Sequence, residues 1–138
     1  MNKLIALGTV LLFAALTLQA QEKTTSTVKG YVVDQMCAKK MATKKDVMEK
    51  AAAHSKDCAL DDACAASGYG IFSDGKYYKF DEKGSAKAKE LIEASKLEKG
   101  LYMEATGHLG DGTLQVVTLK EIPAVKSKQE MKPEKKEG

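Results

Sequence analysis

Three cysteines and one histidine stand out as side chains able to do chemistry: Cys37 in Asp-Gln-Met-Cys, and His54, Cys58 and Cys64 in HSKDCALDDAC. Three thiolates and an imidazole make a legitimate tetrahedral shell for zinc. The intervals of 16, 3 and 5 intervening residues contain no tight CxxC knuckle. His54 and Cys58 are four apart and would lie side by side on a continuous helix. Met36 and Met41 flank Cys37, and thioether with thiolate favours Cu(I), so copper stands beside zinc as the expected ion. Methionines at helical spacing also serve as core packing, and Met41 falls on the apolar stripe of its segment.

The same cysteines admit two other chemistries. A disulfide would strengthen a small exported domain, typically by about 2 to 4 kcal/mol. If Cys58 and Cys64 share a straight helix, they stand about 9 Å apart along its axis and about 120° apart around it, beyond disulfide reach. The pairing expected is therefore Cys37 with Cys58 or Cys64, which leaves one cysteine over. A reactive thiol is the third reading: Cys58 as first residue of a short helix, with Lys56 and His54 upstream, would have its thiolate favoured. Asp57, Asp61 and Asp62 push the other way, and neither CxxC nor CxxCH is present. Asp34 suits the cap of a helix that follows it.

Charge and composition narrow the partners. All 22 basic residues are lysine, and residues 21–125 balance 16 lysines against 16 carboxylates. Arginine, the side chain that reads phosphate and guanine with two parallel hydrogen bonds, is missing. Nucleic acid is not an expected partner; an envelope protein or a small ligand is. No carboxylate pair with supporting context, serine nucleophile motif or phosphate loop is present, so a binding role is expected ahead of catalysis.

These side chains must be positioned by a small domain. MNKLIALGTVLLFAALTLQA, 1–20, has the lysine, apolar run and terminal small residue of a cleaved secretory signal, with an apolar core too short to span a membrane. The mature chain is expected to begin near Gln21, to carry no transmembrane segment, and to be periplasmic or secreted. Residues 126–138, KSKQEMKPEKKEG, have the composition of a disordered, solvated tail. The span 21–125 has room for one domain.

Within it, TVKGYVVD at 27–34 predicts a strand. Residues 38–53 predict an amphipathic helix with Lys39, Lys40, Lys44 and Lys45 on its outer face. Residues 58–67 predict a second helix, capped by Asp57 and closed by Gly68. YGIFSDGKYYKFD, 69–81, predicts a hairpin about Asp74-Gly75. A helix follows Gly84-Ser85 and ends near Gly100, and 101–122 form a second hairpin about Asp111-Gly112. The expected class is α+β, mainly β. With a helical insertion at 35–68 removed, the order is that of the five-stranded OB barrel. The same order also permits an open, helix-backed α+β sheet.

GYVVDQMC, HSKDCALDDACAASGYGIFSDGKYYKFDEKG and ATGHLGDGTLQVVTLKEI resemble a family of small exported bacterial proteins of no established activity. The resemblance spans nearly the whole mature core. It implies export and an OB-like domain with a cysteine- and histidine-bearing insertion, and supplies no mechanism.

Overall fold

The computed structural model describes residues 24–124; the expected leader at 1–20 and tail at 126–138 lie outside them. The first strand, β1 (Thr25–Asp34), runs into four short helices, α1 (Gln35–Met41), α2 (Val47–Ala52), α3 (Lys56–Leu60) and α4 (Asp62–Ala66). A hairpin of β2 (Tyr69–Ser73) and β3 (Lys76–Phe80), the helix α5 (Glu82–Ala94), and a hairpin of β4 (Tyr102–Gly110) and β5 (Thr113–Glu121) complete the chain. The class is α+β. The five strands form a mixed sheet that closes into a ring in the order β1-β2-β3-β5-β4, β4 returning to β1. Only the β3–β5 contact is parallel.

Both hairpins turn at the expected dipeptides. Asp74 and Gly75 have φ of 49° and 79°, and Asp111 and Gly112 have φ of 51° and 75°. Positive φ at both central residues is the tight turn whose twist suits a hairpin. The alternation of side chains then decides what is inside. Val28, Val32, Ile71, Phe80, Met103, Ala105, Leu114 and Val116 fill the ring together with Ala88 and Ile92 of α5.

Helix α5 begins at Glu82, ahead of Gly84-Ser85, because Asp81 caps it: its Oδ1 accepts from the Gly84 amide at 3.0 Å and from the Val116 amide at 3.1 Å. Gly84 allows that close docking on β5, since a Cβ there would lie 2.5 Å from Val116 Cγ2. The helix ends at Ala94, and 95–100 form a loop. Among the described residues, no helix is long and apolar enough to cross a membrane.

The helical region between β1 and β2 departs from the expected two helices. The helix expected over 38–53 is interrupted at 42–46, and the one expected over 58–67 is broken at Asp61, whose backbone is extended at φ −53° and ψ 138°. Helices of five to seven residues are too short to persist through their own hydrogen bonds. They are held by caps and by packing on the sheet. Val33 and Phe72, on the outer face of β1 and β2, form a second apolar cluster with Ala38 and Ala51, against which Cys37, Met41, Val47, Met48 and Tyr77 pack.

Candidate metal centre

Each cysteine stands three residues after a helix cap. Asp34 Oδ1 accepts from the Cys37 amide at 2.8 Å, capping α1. Ser55 Oγ accepts from the Cys58 amide at 3.2 Å, capping α3. Asp61 caps α4 through the Ala63 amide, one residue before Cys64. Cap-x-x-Cys thus occurs three times, and it is the local signal that reading the cysteines by their mutual spacing misses. Asp57, expected as a cap, lies in the first turn of α3, so Cys58 is not the first residue of that helix.

The caps set each cysteine's orientation, and tertiary contacts bring the three helices together. The amides of Gln35 and Met36 donate to Gly68 O at 2.8 Å and to Ser67 Oγ at 3.1 Å, tying the start of α1 to the end of α4. Lys56 Nζ donates to Glu93 O at 3.0 Å and Ser95 O at 2.8 Å, anchoring α3 to the end of α5. Tyr69, buried in the ring, sends its hydroxyl to Ala59 O at 2.7 Å. Tyr69→Phe should leave that carbonyl without its partner and lower thermal stability by about 1 to 2 kcal/mol, read as a fall in Tm; an unchanged Tm would mean that this bond does not hold α3.

The result is a cluster: Asp34, Cys37, Cys58 and Cys64 each offer a ligand atom, and the four atoms lie within 4.8 Å of one another. Cys37 Sγ and Cys58 Sγ are 3.7 Å apart. That is no disulfide, and all three cysteines are free. The separation Cys58–Cys64 expected for a straight helix does not occur, because the break at Asp61 turns Cys64 back toward Cys58. Such an arrangement of one carboxylate and three thiols can hold a metal ion.

Asp34 and Cys64 form the buried side of the cluster, at 0 % and 7 % exposure, while Cys37 and Cys58 are half-buried. His54, expected in the shell, is buried and sits against Asp34, with Nε2 3.0 Å from Oδ2. It is not one of the four converging groups; Asp34 takes that place. Nε2 approaches Oδ2 without the alignment of a hydrogen bond, and both atoms lack a hydrogen-bond partner. A buried carboxylate oxygen with no aligned donor keeps an acceptor site that a cation could take. Met36 is exposed and Met41 packs in the second apolar cluster. His108 lies in β4, paired with Thr25 and Gln115, outside the cluster.

Electrostatics agree with a cation-seeking site. Burial alone would raise the Asp34 pKa, but His54 and the Cys37 amide outweigh it and hold the carboxyl below its ordinary value. Burial, then contact with Cys58 and the Asp34 charge, pushes the Cys37 thiol far up. Burial and the Asp34 charge push Cys64 up as well. Without an ion these two thiols resist ionisation, whereas a thiolate is what a metal binds.

A thiol whose folded pKa is raised stabilises the fold below its unfolded pKa and loses that contribution as pH rises through and above it. The chelated, reduced protein should therefore lose Tm between about pH 8 and pH 10, while the metal-loaded protein, its thiols already ionised, should lose much less. Parallel pH profiles for the two forms would count against the cluster.

No family model matches the chain, and no match is found among curated proteins or solved structures.

Proposed function

We propose that this is a small exported binding protein of the bacterial periplasm or exterior, whose helical insertion holds a soft or borderline metal ion, zinc or copper. Its domain is read as OB-like. The strand order, with α5 joining the third and fourth strands, supports this. The insertion occupies the connection between the first two strands, one of the loops with which such barrels bind. The motifs that resemble the family of small exported bacterial proteins support membership in it.

The observation that carries the metal reading is the convergence of three sulfurs and a buried carboxylate from four separate elements within 4.8 Å. The thiolates come from Cys37, Cys58 and Cys64. The fourth donor is Asp34 or, as the spacing of the sequence suggests, His54. A Zn–S bond of about 2.3 Å requires tetrahedral sulfur ligands about 3.8 Å apart, and Cys37 and Cys58 stand at 3.7 Å.

The test is intact mass, thiol titration and elemental analysis of the mature protein recovered from the envelope without chelator. One metal per chain, with three thiols released on chelation, is expected. One free thiol, two missing hydrogens and no metal would support the second reading. That reading, a structural or interaction module of the envelope stapled by Cys37–Cys58, is favoured by the same 3.7 Å separation. A thiol-redox protein, the third class, would instead show one cysteine alkylated rapidly well below neutral pH.

A further inference from the structure

We infer that Asp34 is the fourth ligand, that His54 is the residue that positions it, and that the ion is accordingly a divalent, four-coordinate one of zinc type rather than monovalent copper. This rests on the three-thiolate site proposed above and goes beyond it by fixing the fourth donor and the class of ion.

Asp34 is placed at the end of β1 and held from two sides. Oδ1 is fixed by the Cys37 amide at 2.8 Å. Oδ2 is fully buried, lacks a hydrogen-bond partner, and has His54 Nε2 3.0 Å away. A carboxylate oxygen has more than one acceptor site, so Oδ2 can keep its contact with the imidazole while it binds an ion. His54 is itself locked, its amide donating to Ala51 O at 3.2 Å and its carbonyl accepting from the Gly100 amide at 3.0 Å. Outer groups of this kind orient a ligand and tune its affinity.

The choice of ion follows from the donors. Cu(I) is satisfied by soft thiolates and gains little from a hard carboxylate oxygen. Zinc takes both, in a tetrahedral shell of four. A buried carboxylate converging with three sulfurs therefore adds more to the affinity for the divalent ion than to that for Cu(I).

The test uses the reduced mature protein, with zinc, Co(II) and Cu(I) each added alone and affinities read by competition with a chromophoric chelator. Asp34→Asn keeps an oxygen able to cap α1, so its fold should survive, checked by the melt of the chelated variant. Its zinc affinity should fall at least about 100-fold while its Cu(I) affinity changes only a few-fold. His54→Ala should lose about 10- to 100-fold for zinc and shift the visible Co(II) bands while sulfur-to-Co(II) charge transfer in the near ultraviolet persists. His54→Gln, which restores a polar side chain beside Oδ2, should recover most of the affinity.

Unchanged zinc affinity and Co(II) spectrum in Asp34→Asn would overturn the inference while leaving the three-thiolate site intact. So would equal losses of zinc and Cu(I), or a wild-type protein that takes Cu(I) and not zinc. If none of the ions protects the wild-type thiols, the proposed function itself fails.

Discussion

Zinc-loaded protein will melt on the order of 15 °C above the same protein reduced and chelated. The donors come from the end of β1 and from α1, α3 and α4, so the site exists only when the insertion is folded on the sheet. An ion that binds only the folded form, present at 1,000 times its Kd, contributes about 4 kcal/mol. Each kcal/mol moves the Tm of a domain this size by about 4 to 8 °C, and binding of zinc to unfolded cysteines reduces the gain. The check is calorimetry with and without zinc in a non-chelating buffer. Coincident melts would mean that the cluster stays a set of free thiols. Because Cys37 and Cys64 must give up protons, the gain should also shrink as pH falls.

Cys64→Ala will abolish this metal-dependent stabilisation while costing the chelated protein only about 1 kcal/mol. Cys64 is the discriminating position because it belongs to the metal set and not to the Cys37–Cys58 pair. If the cysteines serve only as a Cys37–Cys58 staple, oxidised Cys64→Ala will melt like the wild type, and the expectation fails. In the metal reading Cys37→Ala and Cys58→Ala are equally damaging to zinc affinity. Combining either with Cys64→Ala adds little, because residues that bind one ion act as a unit.

The sheet was legible because its signals are local and doubled. The Asp-Gly turns at 74–75 and 111–112 fix the hairpins, and the period-2 patterns around them say which side chains fill the ring. The cysteines were legible as a group, and each of the three arrives at one place. The helices between β1 and β2 were not, since segments of five to seven residues carry too few apolar repeats to show a period and depend on caps and docking.

The break at Asp61 illustrates the difficulty. An aspartate inside an apparent helix is common, and what makes it a cap is the extended backbone imposed when α3 and α4 dock separately. Asp34 was legible as the cap of α1 through Oδ1. The role of Oδ2 depends on His54, twenty residues on and brought there by the contact of Gly100 with the His54 carbonyl. A spacing rule that pairs His54 with Cys58 misses this, because it assumes a helix continuous through Ser55, and Ser55 begins a new one.

The most direct measurement is X-ray absorption at the zinc edge of the loaded, reduced protein. Three sulfurs at about 2.3 Å and one oxygen at about 2.0 to 2.2 Å are expected in the first shell. A shell of nitrogen and oxygen alone would place the ion elsewhere on the chain and contradict a site built from Cys37, Cys58 and Cys64.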